Sequence, residues 1–551
     1  MKLSLRHTKH VILEKVKLTM GVIFLLSLFG CNDNILNEVP KDSLNPDVVL
    51  STKSGFENYL VALHQTARNE LTREDLTMFF DQNIGTDVAS TGQEPAVNFR
   101  NYSTYLIPEN PVAQTFWDWG YSNMLSIANT IIVYANRPEI AHIWSNEAEK
   151  NAILGEAMFF RAYTHNLLAN LYGGVPIVDT IFTGPKTDFV RNTRAEVYES
   201  VKKDLEFASR WLPETVSKNW EGRIVRAAAD HLLTEVYISL GEYDKAIESA
   251  SRVTDSGLYR LMTERFGSEK DAPGDVFSDL FKDGNQNRSS GNLESIYVWQ
   301  FEHFTPGGGG SSRGNHNLRG WGPFTIHIRD PDGFPMIIVD SLGRGVGWVR
   351  PTTFFLYDIW KSDWDNDIRN SPHNIRRKFY YNNPASPYFG KLVEKKKSLE
   401  DTMQNLYPTI RKIEGKPWNN NNTSGQTAKD FMVYRLAETY LLKAEAYYRK
   451  GDLQKAADNI NIVRSRANAT PVLPSEVNID YILDERAREL ITEEPRRRTL
   501  MRMGKLVERV RKYNMRESTR NTIDEKHELF PIPQTAIDAN FSVKLEQNPG
   551  Y

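Results

Sequence analysis

The chain has 551 residues, of which 40% are apolar and 25% are charged, the balance of an ordinary water-soluble protein that can bury a large core. The 68 Lys and Arg against 70 Asp and Glu give a net charge of -2, so no excess of positive charge is available for a nucleic acid, and we expect no such partner. The single cysteine excludes an intrachain disulfide and any cysteine-based metal cluster.

Residues 1–30 have the pattern of a secretory signal. A basic stretch precedes the apolar run Met20–Phe29, which is about half as long as a helix that spans a bilayer. The residues Leu28-Phe29-Gly30-Cys31 resemble a bacterial lipobox, and this resemblance implies that Cys31 is lipidated and becomes the mature N-terminus. Several acyl chains would then anchor a soluble body to a membrane. The alternative is a free cysteine in a plain signal peptide that is cut elsewhere.

Helical patterning begins after a polar stretch that extends to about Pro46 and predicts a tether. Apolar residues recur at helical intervals in four segments, namely Ser54–Asn69, Pro111–Ala135, Asn146–Leu171 and Thr193–Leu212. We predict that these segments are core helices.

Two later stretches share one pattern, in which a helix ends at a glycine and a second amphipathic helix follows. Aligning Gly241 with Gly451 pairs Leu232 with Leu442, Tyr237 with Tyr447, Ala246 with Ala456 and Val253 with Val463. The pattern predicts two helical hairpins and resembles tetratricopeptide repeats. Leu154–Gly173 is a weaker third candidate. Because the two clear hairpins are far apart in the sequence, they would pack together only in three dimensions. Unrelated amphipathic helix pairs are the alternative.

The region from about Gly267 to Gln426 is rich in Gly, Asn and aromatic residues, which oppose long regular elements. Ser295–Phe301 and Met336–Val339 are short strand candidates. Loops of this length are functional or disordered, and the Trp and Tyr content argues against disorder.

The sequence carries no common catalytic signature: the serine nucleophile elbow, the His-Glu-x-x-His zinc helix and the phosphate-binding loop are all absent. We therefore predict no catalytic residue, no cofactor and no metal site. The cluster Asp363, Asp365 and Asp367 lacks the glycine and terminal glutamate of a calcium loop, so we interpret it as a solvated turn. The spacing of His303, His316 and His327 matches no familiar metal pattern, which favours surface histidines.

Aromatic, amide and arginine side chains are frequent in the same region. A flat aromatic ring can cover the apolar face of a sugar, while amides and guanidinium groups bind its hydroxyls. The set indicates carbohydrate binding, although any single tryptophan in it could instead be packed in the core. Its members are Asn315, Asn317, Arg319, Trp321, Trp348, Tyr380, Tyr381 and Asn383.

Several stretches, taken together, resemble the SusD/RagB family of outer-membrane nutrient-binding lipoproteins of Bacteroidetes-type bacteria. The last of them is the most specific, and Leu483–Lys505 departs from the family pattern at Glu494-Pro495 and Arg502-Met503-Gly504. The stretches are Ala157–Val178, Ala228–Leu261, Tyr434–Arg466, Leu483–Lys505 and Leu529–Tyr551.

This resemblance implies a mainly α, SusD-like fold with tetratricopeptide-like hairpins and a loop-rich insertion that carries short strands. An N-terminal region 31–285 and a C-terminal region 286–551 would form one compact body. The resemblance also implies a lipid-anchored protein of the outer membrane, facing the cell exterior, that binds a glycan, breaks no bond and has a SusC-type TonB-dependent transporter as its partner. A peptide- or protein-binding scaffold of a RagB-like peptide importer is the alternative.

The ligand face in this family combines an early loop with loops from the middle of the chain, and we use this rule to predict the glycan site. We expect Trp321→Ala to weaken glycan binding by roughly 1–3 kcal/mol. The predicted contacts are Asp87, Asn98, Arg100, Asn315, Trp321 and Trp348.

Overall fold

The structure is mainly helical, as predicted. The computed structural model describes residues 45–72, 78, 81–93, 99–305, 307–309, 314–336, 344–394, 401–418 and 425–551. The signal segment and Cys31 lie outside these residues. Contacts divide the chain into Met1–Ser51 and Thr52–Tyr551, while the predicted division at 285/286 stays a prediction. The described part of the first unit contains helix α1 (Pro46–Val49), where Asn45 Oδ1 accepts the N–H of Asp47 at 3.0 Å.

The four helices predicted in the first half are present. Pro111–Ala135 differs in detail, because a π-helical segment, Trp119–Leu125, interrupts it. Gly120 in that segment packs so closely that an added Cβ would lie 3.0 Å from Leu168. The helices are α2 (Lys53–Thr72), α3 (Tyr102–Tyr105), α4 (Pro111–Asp118), α5 (Ser126–Ala135), α6 (Glu147–Tyr172) and α7 (Arg194–Trp211).

Both predicted hairpins are present. The first consists of α8 (Arg226–Leu240) and α9 (Tyr243–Thr254). Gly241 between them has a φ of +77°, the left-handed conformation that turns the chain from one helix to the next. The second hairpin closes at Gly451, with a φ of +90°. Three short helices of the insertion and the two helices of the second hairpin follow in the chain as α10 (Val276–Asp279), α11 (Asn317–Trp321), α12 (Thr353–Leu356), α13 (Leu436–Lys450) and α14 (Leu453–Arg466).

The two hairpins pack against each other although the chain leaves the first at Thr254 and begins the second at Leu436. Lys443 Nζ on α13 donates to Thr254 Oγ1 at the end of α9, at 3.0 Å. At the other end of the pair, Lys450 is hydrogen-bonded to Asp244. The helices α9 and α13 are therefore antiparallel neighbours, and the insertion does not interrupt the array.

The weaker third candidate, Leu154–Gly173, is the C-terminal part of the single helix α6. It pairs with α7 in antiparallel fashion: Arg161 Nε donates to Asp204 Oδ2 at 2.7 Å, and Tyr198 Oη donates to Asn170 Oδ1 at 2.7 Å. A longer connection replaces the one-glycine turn of the two hairpins. The helix α7 then packs on α8, where Ser209 Oγ donates to Asp230 at 2.7 Å.

The C-terminal part of the chain returns to the first half of the array. Phe530 N donates to the carbonyl of Leu171 at 2.7 Å, and Asn548 Nδ2 donates to that of Tyr172 at 2.9 Å. Two of the stretches that carry the family resemblance, Ala157–Val178 and Leu529–Tyr551, therefore pack on each other. The helices of this part are α15 (Ile479–Leu490), α16 (Arg496–Met503), α17 (Leu506–Tyr513), α18 (Glu517–Thr522) and α19 (Gln534–Ala539).

Short antiparallel strand pairs cross-link the insertion. The strand predicted at Ser295–Phe301 is present as Ser295–Trp299, whereas residues 337–339 of the candidate Met336–Val339 lie outside the described residues. β1 pairs with β3, β2 with β6 and β4 with β5. The strands are β1 (Ala89–Thr91), β2 (Ser295–Trp299), β3 (Val349–Pro351), β4 (Ile375–Arg376), β5 (Thr409–Ile410) and β6 (Phe431–Arg435).

A buried network of ion pairs joins the insertion to α14 and α15. Glu485 accepts hydrogen bonds from Arg369 at 2.8 Å and from Arg464 at 2.7 Å, and all three side chains are almost completely buried. Burial raises the pKa of Glu485, but the charges of these arginines lower it further, so the net result is a pKa well below the usual range. Glu485, which belongs to the stretch Leu483–Lys505 that resembles the family, therefore has a structural role.

The predicted solvated turn at Asp363–Asp367 is wrong for two of its three aspartates. Asp363 accepts from Arg464 at 2.8 Å, and Asp367 accepts from Arg369 at 2.7 Å, with both carboxylates buried. Only Asp365 is exposed. A buried carboxylate needs a cationic partner, and the neighbouring ion-pair network supplies one for each.

Candidate functional site

The geometry of the candidate site begins at the strand pair β1–β3. Thr91 pairs with Val349, and the N–H of Gly92 donates to the carbonyl of Trp348 at 3.0 Å. Trp348 is half-buried. The early loop after β1 and a loop from the middle of the chain therefore meet at this tryptophan.

Two glycines let three backbone segments meet beside Trp348. An added Cβ on Gly92 would lie 2.1 Å from the carbonyl oxygen of Gly347, a distance that real side chains do not adopt. Gly347 has a φ of +65°, and a Cβ there would lie 2.5 Å from the carbonyl oxygen of Gln404. Only glycine fits at both positions. Gly92 lies too close to a neighbouring backbone for any side chain, and Gly347 combines such a close approach with a left-handed backbone.

Arginines lie over the aromatic rings of this junction. The guanidinium group of Arg319, on α11, is 5.1 Å from the centre of the Trp348 ring, and that of Arg344 is 5.1 Å from the Phe324 ring. Burial lowers the pKa of Arg344. The backbone keeps these groups together, since the N–H of Val346 donates to the carbonyl of Arg319 at 2.8 Å. A half-exposed indole beside guanidinium donors offers an apolar surface and hydrogen-bond donors side by side.

Two of the six predicted contacts, Arg100 and Trp348, are both hydrogen-bonded to the segment that follows β1. Arg100 Nη2 donates to the carbonyl of Gln93 at 2.8 Å, and Gln93 follows Gly92, which is bonded to Trp348. Both Arg100 and Trp348 are half-buried. Asn98 lies outside the described residues.

Asp87 is completely buried beneath this junction. Its carboxylate accepts from Arg496 at 2.6 Å and from Arg509 at 2.7 Å, while its carbonyl accepts from Thr352 Oγ1 at 2.7 Å. Burial raises the pKa of Asp87, but the two arginines lower it further, so the net result is a pKa well below the usual range. These bonds fix the end of β3 and direct the carboxylate into the protein.

Asn315 and Trp321 are also buried, each with 1% of its surface exposed. Asn315 Nδ2 donates to the carbonyl of Lys429 at 3.0 Å, and the carbonyl of Trp321 accepts from Tyr407 Oη at 2.9 Å. In this arrangement they hold the two ends of the segment that carries Arg319. A glycan contact by either side chain stays a prediction, and the geometry favours a supporting role.

The other members of the aromatic and amide set are likewise divided between buried and exposed side chains. Asn317, Tyr381 and Asn383 are buried, whereas Tyr380 is 51% exposed. The sequence reasoning missed Phe324 and Arg344 as parts of the site. Arg344 lies in the region from about Gly267 to Gln426 that is rich in Gly, but residue spacing does not indicate that its guanidinium group lies over the Phe324 ring.

Metal binding and membrane crossing were tested in the described part of the chain. No group of three or more His, Cys, Asp or Glu side chains there is placed to hold a metal ion. Within the same residues, no helix combines the length and the apolar character needed to cross a bilayer.

Two protein-family models match complementary parts of the chain. The model described as "SusD family" matches residues 280–551, and the model described as "Starch-binding associating with outer membrane" matches residues 36–238. The chain belongs to the SusD/RagB family. The resemblance drawn from its motifs is therefore confirmed.

Curated relatives of this SusD/RagB family member match over much of their length. "SusD-like protein P2" of Formosa agariphila is 25% identical over 98% of this chain and 100% of that protein. "Starch-binding protein SusD" of Bacteroides thetaiotaomicron is 25% identical over 74% of each chain.

Solved structures share the fold. "Laminarin binding SusD-like protein" is 21% identical, covers 91% of this chain and 100% of its own, and gives a TM-score of 0.67. "Surface glycan-binding protein A from Bacteroides thetaiotaomicron in complex with laminarihexaose" is 20% identical, covers 90% and 99%, and gives a TM-score of 0.68. The predicted SusD-like fold class is confirmed.

Proposed function

We propose that this protein is a cell-surface lipoprotein that captures an oligo- or polysaccharide and delivers it to a SusC-type TonB-dependent transporter of the outer membrane. The observation that carries the proposal is the half-exposed Trp348 ring with Arg319 beside it, at a junction that glycines and strand pairing hold rigid. The names of the relatives, which mention starch, laminarin and surface glycans, support the same ligand class.

The chemistry of binding follows from this geometry. An indole face excludes water from the C–H face of a sugar ring, while guanidinium and amide groups replace the water bound to its hydroxyls. Because the junction is held before the ligand arrives, little conformational entropy is lost on binding. Capture requires no bond to be broken, so a polysaccharide incubated with the protein should yield no new reducing ends.

The anchor and the partner complete the proposal. A lipid on Cys31 would hold the protein at the outer membrane and make its encounter with a neighbouring transporter effectively intramolecular. Intact-mass analysis of the membrane form should show acylation of Cys31, and a pull-down in mild detergent should recover a large barrel protein. A Cys31→Ser variant that stayed in the membrane with an unmodified N-terminus would contradict the anchoring step.

The ligand test compares the half-buried Trp348 with the exposed Trp364 of the insertion. We expect Trp348→Ala to weaken binding to laminarin or starch by roughly 1–3 kcal/mol, the range for losing one stacked aromatic. Trp364→Ala is the matched control, because Trp364 is 39% exposed but lies beside Arg377 and Tyr357, away from the Gly92–Trp348 contact. Isothermal titration with neutral glycans and with a peptide panel measures both variants. Peptide binding without glycan binding would favour an importer of peptides instead.

A further inference from the structure

A second opening, a cleft of about 460 Å³, shares no lining residue with the Trp348 junction in the described part of the chain. One wall comes from α2, with Val61, Gln65 and Arg68. The turn 219–223 forms a second wall, and residues 298–305 and 307–308, at the end of β2 and after it, form a third. Three separate parts of the sequence therefore enclose a space large enough for several sugar rings.

Trp220 forms a rigid platform at this cleft. Its side chain is 45% exposed, and the guanidinium group of Arg223 lies 5.3 Å from its ring. Arg223 is itself fixed, because its Nε and Nη2 atoms donate to the buried carboxylate of Glu156 at 2.8 and 2.6 Å. His64 bonds to the same carboxylate at 2.7 Å. Burial raises the pKa of Glu156, but His64 and Arg223 lower it further, to about 2, so the carboxylate stays ionised and holds Arg223 in place.

The walls around Trp220 are tied together as well. Gly222 has a φ of +96°, and an added Cβ would lie 2.7 Å from Gln300 Cγ, so only glycine lets the Trp220 turn approach the segment after β2. Arg68 is buried and donates to the carbonyls of Gln300 and Gly307. The cleft is thus built before any ligand enters it.

Three charged side chains of the cleft are already engaged within the protein. Arg68 donates to backbone carbonyls, and Arg223 pairs with Glu156. The carboxylate of Glu221 accepts from the N–H and the hydroxyl of Ser289 at 2.7 and 2.6 Å. Glu156 therefore neutralises Arg223, and backbone carbonyls occupy the Nη1 and Nη2 donors of Arg68, so neither arginine favours an anionic ligand.

The groups that face solvent in the cleft are uncharged, apart from one acid. Gln65 and Asn219 are exposed amides, and Glu302 is an exposed carboxylate. Next to the wall residue Thr305, Phe304 is 81% exposed and has a φ of +57°, an unusual backbone conformation for a bulky side chain. Two exposed aromatics and two amides match an uncharged, hydroxyl-rich ligand.

We propose that this cleft is a second carbohydrate subsite, which takes a neutral oligosaccharide segment stacked on Trp220 and hydrogen-bonded through Gln65 and Asn219. Its ligand class rests on the proposed function, whereas its location does not. Two subsites on one molecule would make a long glycan bind more tightly than a short one, because the second contact is intramolecular.

The experiment titrates the full soluble protein with laminarihexaose, maltohexaose and an anionic oligogalacturonide. We expect wild type to bind a neutral hexasaccharide at two sites, and Trp220→Ala to lose one site or weaken it roughly 5- to 100-fold. Trp348→Ala should lose the other. Trp220→Phe, which keeps a ring, should retain most of the affinity, and Trp364→Ala should retain both sites. The oligogalacturonide should not bind at the cleft.

The outcomes separate the two proposals. A single neutral-glycan site that Trp348→Ala abolishes and Trp220→Ala leaves unchanged would overturn the cleft subsite and leave the proposed function intact. Oligogalacturonide binding that Trp220→Ala abolishes would overturn the neutral ligand class. If wild type binds no glycan of the set, both the subsite and glycan capture are overturned.

Discussion

The helical array and the loop-rich insertion use polar residues in different ways. In the array, backbone groups are satisfied within each helix, so apolar stripes largely determine which face is buried, and buried polar side chains such as Arg161 and Asp204 pair with each other. In the insertion, few backbone groups pair in regular elements, and buried side chains satisfy them instead. Asn315 donates to a carbonyl in this way, and so does Lys429, whose pKa burial lowers to about 8. In loops, therefore, a polar or aromatic composition indicates internal support as readily as a ligand surface.

The largest expected effect tests this contrast at Trp321. Because the ring is 1% exposed, Trp321→Ala should lower the free energy of unfolding by about 3–5 kcal/mol, the usual cost of removing a buried Trp side chain. Urea unfolding measures it, with the half-exposed Trp348→Ala as the control and a smaller loss expected there. If Trp321→Ala kept wild-type stability but lost glycan affinity, Trp321 would be a glycan contact and not a core residue.

The second prediction concerns Asp87. Replacing it with Asn leaves Arg496 and Arg509 without their buried anion, so the free energy of unfolding should fall by about 3 kcal/mol while the glycan affinity of the folded protein stays unchanged. Asp244→Asn is the matched control, because its pair with Lys450 is exposed and its loss should change stability by less than about 1 kcal/mol. Weaker glycan binding by folded Asp87→Asn would contradict the supporting role.

Glu70 and Glu156 predict opposite pH dependences of stability. Burial raises the pKa of Glu70 to about 7, above its value of about 4.5 in the unfolded chain, so its stabilising contribution is present below pH 4.5 and is lost as the pH rises through 7. Glu156, with a pKa of about 2, contributes stability above pH 4.5 that is lost as the pH falls toward 2.

Each of these two contributions is at most about 3 kcal/mol. The free energy of unfolding of Glu70→Gln, relative to that of wild type at the same pH, should therefore be higher at pH 8 than at pH 5. Glu156→Gln should be destabilised at pH 7 and less so at pH 3. Denaturant unfolding across this pH range measures the stability of both variants. If the stability of the two variants changed with pH in the same way, the opposite pKa shifts of Glu70 and Glu156 would be refuted.

The smallest effects test the two hairpin turns. Gly241→Ala and Gly451→Ala meet no atom within 4 Å, so each should cost only the strain of a left-handed backbone, about 1 kcal/mol. Gly184→Ala is the control, because Gly184 is equally open but does not have a left-handed backbone. A thermal unfolding series should show equal losses at the two turns and none at Gly184. Unequal losses would mean that the two turns are not equivalent.

The sequence by itself determined the helices, the two hairpins and the family, because helical periodicity and turn glycines are local signals that survive without tertiary contacts. The family resemblance also predicts a glycan site formed by an early loop and loops from the middle of the chain, and Gly92 and Trp348 come from two such loops that meet. Only the tertiary structure decided which polar residues face inward, because the partners of Asp87 and Asn315 lie far along the chain at Arg496 and Lys429. The Trp220 cleft could not be predicted from the sequence for the same reason, because α2, the 219–223 turn and the segment after β2 become neighbours only when the array has folded.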